Sequence, residues 1–100
     1  MNAQDTLKAR QAHYGEFIDN AVIAQELKAV LRTCPSSNFA GLSPDKQEAL
    51  DMIQTKISRI LTGNPEYADN WHDIQGFAKL IENKILTGSC YKEPTKKAAR

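Results

Sequence analysis

The chain has 100 residues, of which 41% are hydrophobic and 25% charged, a balance that suits one packed core and excludes wholesale disorder. Thirteen Lys and Arg offset twelve Asp and Glu, leaving a formal net charge of +1, so no global field draws the chain to nucleic acid or anionic lipid. Cys34 and Cys90 lack metal-ligand spacing, the first residues hold no leader-like apolar run, and nothing approaches the ~18 apolar residues of a membrane span. The expectation is a cytoplasmic protein with reduced thiols that neither crosses nor binds a membrane.

From Asn2 to Tyr14 the residues are good helix formers with few apolar positions, so this arm is helical if something docks against Leu7. Gly15 interrupts it. Over residues 16–32, Phe17, Ile23, Ala24, Leu27, Val30 and Leu31 recur at helical spacing, and Glu16 and Asn20 lie on the same stripe at its N-terminal end. Pro35 and the following Ser36, Ser37 and Asn38 form a loop. Ser43-Pro44-Asp45 then supplies an N-cap hydroxyl, a proline at the first helical position and an acid at the positive end of the helix dipole. The helix predicted over residues 43–62 carries Leu50, Ile53, Ile57, Ile60 and Leu61 as its core face, with Gly63 as a left-handed stop. The last helix, predicted over residues 69–87, places Trp71, Ile74, Phe77, Ala78, Ile81 and Ile85 toward the core and ends before Gly88. These elements predict an all-α fold, a small bundle of three to four helices forming a single domain over residues 1–90, with a flexible basic tail over 91–100.

Several polar residues stand out against these stripes. Asp69 and Asp73 are i, i+4 neighbours, and Asp73 falls at the edge of the core, where a carboxylate is costly unless it meets a cation or a donor. Asp69 fits a first-turn acid that favours the helix dipole. Glu48 and Asp51, three residues apart, have the chemistry to hold Mg²⁺, but both point away from the apolar stripe, so a solvated face is the default and they become a site only where a second layer or subunit covers them. Lys56 flanks that stripe as a candidate for a buried pair, and Lys56 and Arg59 are candidate phosphate contacts. His13, Tyr14 and Gly15 precede Glu16 and Asn20, and the five form either a polar mouth over the end of the core or a plain turn with Tyr14 packed by its ring. His72 has no second histidine at ligand spacing and reads as a surface residue.

Three segments together carry a resemblance: Tyr14-Gly15-Glu16-Phe17 with Asn20-Ala21, then Glu48 to Ile53 with Lys56 and Arg59-Ile60-Leu61, then Asp69 to Ala78. Over roughly residues 10–86 the chain resembles a family of small phage and prophage proteins, and that family in turn is distantly similar to the MazG-like all-α nucleoside triphosphate pyrophosphatases. The resemblance implies helical subunits assembled around Mg²⁺ and a nucleotide. Glu48-x-x-Asp51 would stand for the first acidic pair and Asn70-x-x-Asp73 for the second, with one carboxylate replaced by an amide. On this reading Asp73, Asp69, Glu48 and Asp51 hold the metal, and Lys56, Arg59, Tyr14, Glu16 and Asn20 contact the nucleotide, whose α-phosphorus is hydrolysed.

Met52 and Leu86 lie outside the main stripes, so a homodimer or larger homo-oligomer is expected. The competing reading is a helical protein-interaction module without chemistry. Nucleic-acid binding is not expected, because neither helix after residue 43 carries a basic stripe.

Overall fold

A computed structural model describes residues 2–95, which form four α-helices and one 3₁₀ turn with no strand. Helix α1 spans Ala3–Tyr14, α2 Phe17–Thr33, α3 Pro44–Thr62 and α4 Ala68–Thr87, and the 3₁₀ turn spans Phe39–Gly41. Each boundary has a local cause. The Asn2 side chain accepts the Asp5 amide at 2.8 Å and caps α1, although this helix buries no residue of its own. Pro44 occupies the first turn of α3, while Ser43 stands at the cap position without a side-chain cap bond. Gly88 ends α4 in the left-handed region at φ 86°, with its amide donating to the Lys84 carbonyl.

Helix α3 is the middle of the molecule. It packs against α2 on one flank and α4 on the other, α2 and α4 share no comparable contact, and α1 leans on α2 and α3. Both α2 and α4 run antiparallel to α3, as short connections require. The result is a small helical bundle whose three longer helices form an open layer, with principal extents of 47 × 35 × 23 Å.

This layering changes which residues are buried. The expected core face of α3 is not its most buried one: Leu61 is 63% exposed and Ile57 38%, while Ala49, Gln54, Lys56 and Ser58 are buried. In α4, Trp71 is 51% and Ile85 66% exposed, so neither is the core residue the spacing suggests. Phe17 and Val30 are likewise exposed on α2. A helix flanked on both sides buries two opposite strips, and here polar side chains occupy much of both. Gly63 also departs from expectation, with φ −120° and ψ −142° rather than a left-handed turn. Besides Gly88, Gly15 has a positive φ, at φ 78° and ψ −159°, a backbone conformation that only glycine adopts readily.

The expected tail is described only over residues 91–95, which form no helix; Lys96, Lys97 and Arg100 lie outside the described residues. Among the described residues no helix is long and apolar enough to cross a membrane.

Candidate functional site: a cationic cavity beneath the first helix

The sharp turn at Gly15 sends the chain from α1 into α2 directly beside the end of α3. Thr62 Oγ1 donates to the Tyr14 carbonyl at 2.9 Å, and the Asn64 amide donates to the His13 carbonyl at 2.9 Å. These bonds fasten α1 across the layer and open a cavity of about 470 Å³ between α1, the start of α2 and the end of α3. That volume lies within the range of small-molecule sites, roughly 300–1,000 Å³.

Four of the residues singled out as ligand contacts line this cavity: Tyr14, Glu16, Asn20 and Arg59. The Arg59 guanidinium lies over the Tyr14 ring, 4.5 Å from its centre, which orients a cation beside an aromatic face. Asn20 is buried, and its Nδ2 donates to Ser58 Oγ at 3.3 Å and Thr62 Oγ1 at 3.4 Å. Ser58 is wholly buried and donates onward to the Thr55 carbonyl at 2.7 Å, so a chain of hydroxyl and amide groups anchors the wall of the cavity. Phe17 adds an apolar ring at the rim. Behind the turn, His13 stacks on Tyr67 with ring centres 3.8 Å apart, and Tyr67 donates to Asp69 at 3.0 Å, which holds its phenol above its ordinary value.

Helix α1 contributes more than expected. Gln4, Lys8, Arg10 and Gln11 also line the cavity, so three cations, Lys8, Arg10 and Arg59, face one carboxylate, Glu16. The signal lay in the spacing of Gln4, Lys8, Gln11 and Tyr14, which repeats every three or four residues and puts them on one face of a helix otherwise short of apolar groups.

Lys56 is placed elsewhere. It is buried between α3 and α4, where its Nζ lies 2.9 Å from Asp73 Oδ2. Asp51 is held across to α2 by Arg32, with both guanidinium nitrogens bonded to its carboxylate at 2.9 and 2.6 Å. That bidentate contact is the main reason the Asp51 carboxyl sits below its ordinary value, with the charges of Arg32 and Lys28 adding to it. Asp69 accepts from Tyr67, and Glu48 is exposed. The four acids that the resemblance assigns to Mg²⁺ therefore do not converge, and three of them have other partners. Among the described residues no group of three or more His, Cys, Asp or Glu side chains is placed to hold a metal, so the residues present do not fit the ion.

A family model described as a domain of unknown function (DUF6378) matches residues 1–85. No curated protein and no solved structure matches the chain.

Proposed function

We propose, for a chain that belongs to the DUF6378 family, that the cavity beneath α1 binds a nucleotide-class ligand, a phosphate-bearing molecule with a planar apolar part. The observation that carries this reading is the gathering of Tyr14, Asn20 and Arg59 with Lys8 and Arg10 around one space of about 470 Å³. Lys8, Arg10 and Arg59 supply the charge that phosphate needs, with Arg59 able to present two parallel N–H donors. Phe17 supplies an aromatic face for a base, Tyr14 holds Arg59 across its ring, and Asn20 adds an amide held in place by Ser58 and Thr62. Binding in this form needs no metal. Hydrolysis of a bound triphosphate would require carboxylates free to hold Mg²⁺, and Asp51, Asp69 and Asp73 are engaged by Arg32, Tyr67 and Lys56. The proposal is therefore of recognition rather than of pyrophosphohydrolysis.

The test is calorimetric titration of the purified chain with nucleoside mono-, di- and triphosphates and with inorganic triphosphate, each with and without Mg²⁺. The expected result is metal-independent binding of a nucleotide, weakened at least roughly tenfold in Arg59→Ala and unaffected in Lys46→Ala. Inorganic triphosphate binding as tightly as any nucleotide would reduce the site to an anion hole. No heat with any of them would overturn the reading.

A second role, contact with another protein surface, is favoured by a separate observation: Leu61, Trp71 and Ile85 are each more than half exposed on the layer.

A further inference from the structure

Six exposed large apolar side chains gather on one side of the layer, while Phe17, Ile18 and Val22, also exposed, point elsewhere around α2. On α3, Leu50, Ile57 and Leu61 fall within about 40° of one another around the helix axis. On α4, Trp71, Ala78 and Ile85 are spaced seven residues apart and fall within a similar arc. Measured from the Lys56–Asp73 contact between the two helices, both ridges are displaced in the same rotational sense, and on antiparallel neighbours that places them on the same face of the layer. Val30 of α2 reaches this face by the same construction from the Ala24–Gln54 contact. Arg59 and the cavity are about half a turn around α3 from the Leu50–Ile57 ridge, so α1 covers the opposite face.

We infer that this apolar face is the seat of a second copy of the same chain, two layers packing face to face about a two-fold axis. Surface area argues for a partner over a large interface. The chain exposes 7264 Å², whereas a folded monomer of 11.2 kDa exposes about 5,700 Å². The excess of about 1,600 Å² per chain, which this face shares with the unburied α1 and with residues 91–95, is of the order that homodimers bury, more than about 1,000 Å² per subunit. The radius of gyration, 16.1 Å against about 13 Å for a compact chain of this length, reports the same open shape. Charge argues for a copy rather than a different protein. A two-fold contact sets residues near the axis opposite their own counterparts, so a self-complementary face must be uncharged at its centre; Ile57, Leu61, Trp71 and Ala78 carry no charge, and Lys46, the nearest charge along α3, lies a turn beyond Leu50 at the edge. Because the cavity lies on the other face, this assembly leaves it open, and the dimer stands or falls independently of the ligand proposal.

Sedimentation equilibrium of the full chain, from micromolar to millimolar concentration, is the test, with Trp71 emission followed over the same dilution. The expected mass is twice 11.2 kDa, and the emission maximum moves to the red on dissociation as Trp71 becomes wet. Ile57→Glu and Ala78→Glu should each raise the dimer dissociation constant roughly a hundredfold while keeping the helical circular dichroism. Should a variant lose its helicity, the wild-type dilution series with its paired change in mass and emission decides alone. A wild-type chain that stays monomeric at millimolar concentration overturns the inference. So does a dimer whose Trp71 emission is blind to dissociation, since it would be joined through another face.

Discussion

Gly15 and Gly63 meet at the crossing of the α1–α2 turn and the end of α3, and neither position has room for a Cβ. A methyl group on Gly15 would overlap the Thr62 carbonyl, and one on Gly63 would overlap the backbone of His13 and Tyr14. Because backbone lies on both sides of the crossing, no side chain can swing away to relieve the clash. Gly15→Ala or Gly63→Ala is expected to cost about 3 kcal/mol in urea unfolding, with Gly15→Ala also strained by its positive φ. Gly76, in the exposed middle of α4, is the control, because a Cβ there meets nothing and Gly76→Ala should stabilise by about 0.5–1 kcal/mol.

The buried Lys56 and the half-exposed Asp73 form an asymmetric pair, with side chains 10% and 43% accessible. Removing the acid strands a buried ammonium, whereas removing the base leaves a carboxylate that water can reach. Asp73→Asn should therefore destabilise by about 1–3 kcal/mol and Lys56→Met by less, an order that chemical denaturation of the two variants can establish. The opposite order would show that Asp73, and not Lys56, is the group that cannot be left alone.

Acid stability depends on Asp51. Its carboxyl lies below its ordinary value because Arg32 donates to it, so it stabilises the fold above the unfolded-state value of about 4 and loses that contribution as pH falls through its own lower value. Asp45 behaves in the same direction through its bond with Ser43. The melting temperature of Asp51→Asn should thus fall less steeply than that of the wild type below pH 4, and the two curves should run parallel between pH 6 and 8. Asp45 keeps the remaining slope from vanishing.

Asn70 offers a gain. It is 1% exposed, and neither its amide nitrogen nor its carbonyl oxygen has a hydrogen-bond partner among the described residues. Replacing it by Leu, similar in size and without polar atoms, should raise stability by about 1 kcal/mol or more in thermal denaturation. A lower melting temperature would mean that the amide is satisfied in solution.

Sequence patterns disclosed elements and boundaries better than orientations. Pro44 and Gly88 mark the ends of their helices for reasons local to the chain, and the break at Gly15 is of the same kind. Leu50, Ile57 and Leu61 do share one side of α3, as their spacing shows, yet spacing carries no information about which side a neighbouring helix covers. With α3 wedged between two partners, Ser58 and Lys56 became interior and that apolar side was left open. At the site, Tyr14, Glu16 and Asn20 are close in sequence and their convergence was readable. Arg59 joins them only through the tertiary crossing at Gly63, and Lys8 and Arg10 only because that crossing folds α1 back. The acids were misleading for a related reason, since Asp51 and Asp73 find their partners, Arg32 and Lys56, on other helices.

The order of the three long helices in space is also their order along the chain, with α3 between α2 and α4 and no comparable contact skipping over it. Such a molecule has few distant ends to bring together, so the entropy of loop closure is small at every step. Each antiparallel pair can form from a contiguous stretch, as soon as its second helix exists, without waiting for the rest. Refolding of the protomer should accordingly lie in the microsecond to millisecond range of low-contact-order helical proteins, leaving any slower, concentration-dependent phase as a direct clock for the meeting of two chains.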